Sequence, residues 1–343
     1  MTQHRYFGRT GVRATPLTLG TMNFGAWGEP DHDRSIEVVH RALDAGINVI
    51  DTADLYSAGE SEVVVGKALV GRQRDDIILA SKFHGKLGPD VNQQGNSRRW
   101  VVRAVEDSLR RLGVDHIDLY QIHKPDPHTD LDETLSALTS LVDAGKIRYF
   151  GTSCFPAHLL VKAQWVARDR GHIRPVSEQP PYSVLSRKAE VDVLPVAQEY
   201  ELGVLTWSPL AGGWLSGRSA DGSPLTATDR HRRLPARYDA ELPLNVIKRQ
   251  RVEQLSKLAS DAGITLPQLA IAFVLAHPAV TTVIVGPRSI EHLESVLGAE
   301  EIALSADVLD AIDQIVAPGV TLNPADEGYV PPSIADSSLR RRA

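Results

Sequence analysis

The sequence predicts an α/β chain folded as a (β/α)8 TIM barrel, with an N-terminal hairpin and long loops on the substrate face. Three observations carry this. A helical pattern runs into a short Gly-containing turn, then into a strand of Ile, Leu and Val closed by a polar residue. That unit recurs in RLGVDHIDLYQIH (111–123), DAGKIRYFGTS (143–153) and ELGVLTWSP (201–209). The strand candidates number eight and alternate with helical patterns, as a barrel of parallel strands requires. No GxGxxG follows any strand, which counts against the alternative, a doubly wound open sheet. At 343 residues the chain is long for one domain, but barrels reach this length. Residues 1–343 are therefore expected to form one domain with an irregular tail over 317–343.

The elements follow in order. Residues 5–16 read as a hairpin turning at Gly8 and Gly11. The strand 16–22 leads into a Gly-rich loop, NFGAWGEP, that carries Trp27. A helix over 33–45 sets Ile36, Val39 and Leu43 on one face, and Gly46 ends it. The strand 47–51 is β-branched at Ile47, Val49 and Ile50 and stops at Asp51; Tyr56 lies in the polar loop beyond, and Gly59 opens the next helix. Further strands are expected at 76–82, 117–123, 147–152, 176–179, 204–207 and 281–285. Helices are expected near 60–70, 97–111, 131–144, 157–170, 188–200, 244–262, 267–276, 289–298 and 305–315. Gly113, Gly145 and Gly203 are expected as left-handed helix caps. Residues 84–96 and 211–243 break the repeat and are assigned to the substrate face. Arg340 to Arg342 read as a solvated tail.

Composition excludes several classes. A net charge of −6 gives no reason to expect nucleic acid or an anionic membrane surface. The first residues lack the apolar core of a signal peptide, and the longest apolar run, Leu269 to Ala276, is too short to span a bilayer. The single cysteine, Cys154, rules out an intrachain disulfide. A cytoplasmic protein is expected; no oligomeric state is implied.

The strand ends hold the chemistry: Asp51, Lys82, His123, Ser153, Gln179, Trp207 and Gly286. On a barrel they converge on one mouth, where such folds place their sites. A phenol with a pKa near ~10 is a poor acid at neutral pH. A lysine beside Tyr56 favours the phenolate and lowers that pKa. Asp51 would hold Lys82 charged and in place, and the His123 imidazole would donate to a substrate oxygen. Together they make a general acid facing a carbonyl. Rival readings fail on spacing. GTSCF (151–155) lacks the second glycine of a nucleophile elbow. Residues 59–68 lack P-loop spacing and the hydroxyl after Lys67. His123 and His128 are separated by prolines and form no metal motif, so no metal is expected.

With these residues in view, the chain resembles the aldo-keto reductases, particularly the bacterial and channel β-subunit-like branch. The likeness rests on GRTGVRATPLTLGTMNFG (8–25), DTADLYSAGESE (51–62), ASK (80–82), SLRRLGVDHIDLYQIHKPDP (108–127), EQPPYS (178–183), WSPLAGGWLSG (207–217) and VGPRSIEHLE (285–294). It implies a catalytic set of Asp51, Tyr56, Lys82 and His123, and NADPH/NADP+ as cofactor without a Rossmann domain. Ser153 and Gln179 would hold the nicotinamide carboxamide, and Trp207 would stack on its ring. Ser208, Leu210, Gly212 and Arg218 would line the pyrophosphate. Gly286 and Arg288 would meet the 2′-phosphate, helped by free N–H groups of the helix beginning near Ser289. Thr21, Met22, Asp51, Cys154, Pro209 and His292 complete the implied cofactor contacts. Trp27, Tyr56 and His123 would wall the pocket for a small carbonyl substrate, with Trp214 a weaker candidate. The implied activity is NADPH-dependent reduction of aldehydes or ketones to alcohols. The alternative is an NADPH-binding regulatory or redox-sensing subunit with little turnover. Cys154 departs from the family's usual Asn, and His292, Ser295 and Val296 depart from its Gln, Glu and Asn.

Overall fold

The computed structural model describes residues 4–217 and 234–340. The hairpin pairs β1 (Arg5–Tyr6) antiparallel with β2 (Arg13–Ala14). Eight parallel strands then close a barrel: β3 (Leu17–Gly20), β4 (Val49–Asp51), β5 (Ile78–Phe83), β6 (Ile117–Ile122), β7 (Ile147–Ser153), β8 (Ser177–Gln179), β9 (Gly203–Thr206) and β10 (Thr282–Val285). β10 pairs with β3 at the seam. There Gly20 is required, because a Cβ would lie 2.5 Å from Ile284 Cγ2.

Strand alternation sorts the barrel interior into two layers. Val49, Ala80, Leu119, Leu205 and Ile284 form an apolar cluster with Phe7. Two residues on, the same strands carry Asp51, Lys82 and Gln121, which the period of two puts on the same face. The hairpin plugs the apolar end. A Cβ on Gly203 would lie 2.9 Å from the Phe7 ring, so only glycine lets the plug seat. Gly203 is thus a strand residue and not the expected helix cap; Glu201, at φ 53°, takes the left-handed position. Gly113 and Gly145 do adopt it, at φ 66° and 71°.

The helices surround the strands: α1 (His32–Asp44), α2 (Glu60–Leu69), α3 (Arg98–Leu112), α4 (Leu131–Asp143), α5 (Ala157–Arg170), α6 (Val193–Glu199), α7 (Pro235–Tyr238), α8 (Pro243–Asp261), α9 (Leu266–Ala276), α10 (Ile290–Glu294), α11 (Ala306–Ile315) and α12 (Pro332–Ala335). Asp31, Ser97 and Asp130 cap α1, α3 and α4 by accepting N–H bonds from the first turn. No single helix among the described residues is long and apolar enough to cross a membrane.

The chain beyond α11 returns across the barrel mouth. Lys248, fully buried in α8, donates to Asp326 at 2.7 Å. Asn323 donates to Asn245 Oδ1 at 2.8 Å, and Lys188 to Glu327 at 2.8 Å. Gly328 then lies so close to Trp207 that a Cβ would meet its ring at 2.9 Å. Arg218 and residues 219–233 of the 211–243 insert, and Arg341 and Arg342, fall outside the described residues.

Candidate active site

The site is built on Lys82, near the carboxyl end of β5. Its ammonium is fully buried and uses all three donors. It donates to Asp51 Oδ2 at 2.6 Å, to the Thr52 carbonyl at 2.8 Å and to the Tyr56 hydroxyl at 3.1 Å. Burial by itself would pull the Lys82 pKa down, but Asp51 and Tyr56 outweigh it and hold it above its ordinary value. The other Asp51 oxygen accepts from Gln179 Nε2 at 2.8 Å and from Gln121 Nε2 at 3.3 Å.

Tyr56 stands on an unusual turn. Ser57, Ala58 and Gly59 follow it at φ 47°, 55° and 95°, a left-handed run that side chains resist. The Ser57 side chain pins the turn. Ser57 Oγ donates to the Phe24 carbonyl at 2.9 Å and accepts from the Trp27 N–H at 3.0 Å. The Trp27 ring comes within 6.3 Å of Tyr56, and His123 within 5.8 Å at 79°. His123 follows β6, its N–H donating to the Phe83 carbonyl at 3.0 Å. Its pKa falls well below 6.5 through burial, then the nearby Lys82, Lys124 and His84, so the imidazole is neutral. The Tyr56 pKa moves against the sequence expectation. Lys82 does lower it, but burial raises it more and Asp51 adds to the rise. The phenol therefore stays protonated across neutral pH.

The rest of the rim is partly as expected. Ser153, Cys154, Gln179 and Trp207 lie at or just beyond the ends of β7, β8 and β9. Gln179 spends its amide on Asp51 and, at 3.3 Å, on Gln121 Oε1, a partner that strand position alone does not reveal. Thr21 is buried, with its hydroxyl engaged by Ser61 at 2.8 Å, and Met22 beside it is half-buried. After β9, Ser208, Ala211 and Gly212 all have positive φ. With Arg237, Tyr238 and Asp326 they line one narrow cavity. Pro209 is buried and Leu210 half-buried beside it. Trp214 is buried, its Nε1–H donating to the Arg237 carbonyl at 3.1 Å, so it belongs to the frame. At the end of β10, Gly286 is exposed, and a Cβ there would meet nothing nearer than 3.5 Å. Arg288 and His292 are half-buried close by. The expected helix 289–298 is shorter: α10 has five residues, and Ser289 already accepts the His292 N–H at 3.4 Å. Its end therefore offers fewer free N–H groups than expected. Val296 is buried in the core, which explains an apolar residue there.

Sequence reasoning missed Gln121, Glu178, Arg237 and Gly328. Gln121 could have been found, since it lies two residues before His123 and shares its face. Arg237 stands in a single-turn helix and Gly328 in an irregular segment, and no period locates either.

Two comparisons bear on this site. The family model described as the aldo/keto reductase family matches residues 16–317. The chain belongs to that family. It is an oxidoreductase family whose members generally use nicotinamide cofactors. The aldo/keto reductase chain is 38% identical over 324 residues to the uncharacterized oxidoreductase YrpG of Bacillus subtilis, covering 91% of this chain and 95% of that one. It is 34% identical to a Schizosaccharomyces pombe protein named as a candidate voltage-gated potassium channel subunit beta, covering 91% and 92%. An Oryza sativa protein with a similar name is 34% identical, covering 92% and 96%. Among the described residues, no group of three or more His, Cys, Asp or Glu gathers as metal ligands.

Proposed function

We propose that this protein reduces an aldehyde or ketone to the alcohol with NADPH, using Tyr56 as general acid. One observation carries the reading: a fully buried ammonium shared between a carboxylate at 2.6 Å and a phenol at 3.1 Å, at the carboxyl mouth of the barrel. The surroundings fit a dinucleotide. Ser208 and Gly212 line a cavity together with Arg237, whose side chain is a cation suited to pyrophosphate, and Asp326. Gly286 is exposed two residues before the half-buried Arg288.

When bound, the nicotinamide supplies hydride to the carbonyl carbon. The protein supplies the proton and the geometry. Tyr56 gives its hydroxyl proton to the carbonyl oxygen. Lys82 stabilises the phenolate left behind, as a cation 3.1 Å away in a site shielded from water. Asp51 holds Lys82 in place. Neutral His123 donates an N–H to the same carbonyl oxygen. Trp27, Tyr56 and His123 wall the space in which the substrate is oriented. Following NADPH absorbance with a panel of aldehydes and ketones tests the reading; saturable binding without turnover on any of them would overturn it. That outcome would favour a second reading, an NADPH-binding regulatory subunit, which the names of the fission yeast and rice relatives suggest.

A further inference from the structure

Glu178 is a buried carboxyl group that the mechanism leaves unused. It lies in β8, in register with Thr152 of β7, and is fully buried. It precedes Gln179, so the two side chains take opposite faces of the sheet. Gln179 reaches Asp51 in the barrel interior, whereas Glu178 reaches the loop between β7 and α5. One Glu178 oxygen accepts the Phe155 N–H at 3.1 Å, and the other lies 2.5 Å from Thr152 Oγ1. The carboxyl group thus grips both flanks of a two-residue turn, Ser153–Cys154. That turn is strained, with Cys154 at φ 59°. It is held from the other side by the Gln179 carbonyl, which accepts from Ser153 Oγ at 2.9 Å and the Cys154 N–H at 3.3 Å.

Burial pushes the Glu178 carboxyl up to about 8, so it carries a proton at neutral pH. The titratable group facing it is the Cys154 thiol, itself pushed up to about 11 by burial. Protonated Glu178 can donate to Thr152 Oγ1, whose own proton then goes to the Ser177 carbonyl at 3.2 Å. Every polar atom of the bridge is then satisfied. An apolar residue here would be buried without the cost of hiding a carboxyl group, but it would leave the Phe155 N–H without this acceptor.

We propose that Glu178 is a positioning residue of the cofactor site, holding the Ser153–Cys154 turn in the shape that receives the nicotinamide carboxamide. The inference rests on the dinucleotide reading above. It separates the two halves of the cofactor. Calorimetric titration of NADP+ and of adenosine 2′,5′-bisphosphate, which lacks the nicotinamide half, is carried out on the wild type, Glu178→Ala, Glu178→Gln and Thr152→Val. Glu178→Ala is expected to weaken NADP+ by about tenfold, the worth of roughly one good hydrogen bond, and to leave the bisphosphate unchanged. Glu178→Gln is expected to stay within about twofold of wild type, since its amide accepts from Phe155 and donates to Thr152. Thr152→Val should weaken NADP+ alone, by about threefold. Equal weakening of both ligands, or undiminished NADP+ binding in Glu178→Ala, would overturn the role. Should Glu178→Ala not fold, unchanged NADP+ binding in Thr152→Val overturns it in the same way. A wild type that binds neither nucleotide overturns the dinucleotide reading, and this inference with it.

Discussion

At the scale of residues, the site depends on a lysine that has no route to water. Lys82 has its three hydrogens on Asp51, Thr52 and Tyr56, so each of those groups feels its loss. Tyr56→Phe removes the proposed proton donor and one of the three acceptors of the Lys82 ammonium. Turnover is expected to fall by about 10²–10⁴, the usual worth of a positioned acid, with NADP+ binding retained. Near-normal kcat in that variant would remove Tyr56 from the mechanism. Lys82→Met differs because it leaves Asp51 buried without its cation, which costs about 3–5 kcal/mol of stability. It should also raise the Tyr56 pKa further, since the lysine is the main group lowering it while burial and Asp51 still raise it. Thermal melts and a pH–rate profile check both effects; an unmoved alkaline limb would contradict the assigned role of Lys82.

At the scale of elements, short segments do the positioning. The turn after β4 takes three left-handed residues in succession, 57–59, to present Tyr56, and the Trp27 loop ties it down through Ser57. The turn after β10 ends in a helix of five residues, too short for its N-terminus to contribute much to anion binding. On the proposed NADPH reading, Arg288 then becomes the main source of charge for a 2′-phosphate. A charge-assisted contact is worth about 1.5–3 kcal/mol. NADPH is therefore expected to bind more tightly than NADH by roughly 10- to 100-fold, with Arg288→Ala losing most of that preference by weakening NADPH alone. Titration of both cofactors followed by Trp fluorescence decides it; equal affinities in the wild type would sink the claim.

At the scale of the whole molecule, the barrel buries acids that report on pH. The carboxyl of Glu178 titrates near 4.5 when unfolded and is raised to about 8 in the folded protein. Between those values the native state holds the extra proton. Its contribution to stability is therefore complete below about 4.5 and is lost as pH rises through about 8. Glu178→Gln has no such proton to lose. The melting temperature of the wild type should fall relative to Glu178→Gln between about pH 5 and 8.5. A difference that stays constant over this range would show that Glu178 does not titrate there.

The sequence by itself determined the order of eight strands, most helix spans to within two residues, and which residues share a face. These are local properties. A period of two along β5 puts Lys82 on the side of Ala80 whatever the rest of the chain does, and Gly113 must take a left-handed cap because its helix ends there. The family motifs are local as well, which is why Asp51, Tyr56, Lys82 and His123 could be picked out together. Tertiary structure decided what depends on closure and burial. Asp51, Lys82, Gln121 and Gln179 come from four strands, and only the closed barrel sets their separations. Gln179 therefore binds Asp51, a partner 128 positions away. The Gly203 backbone looks like a cap in the sequence, but the Phe7 plug makes it a strand residue. The segment ending at Gly328 lies over Trp207 because Lys248 and Asp326 bring it there. Lys82 alone would lower the Tyr56 pKa; burial by segments distant in sequence reverses the sign, because desolvation sums over everything packed nearby.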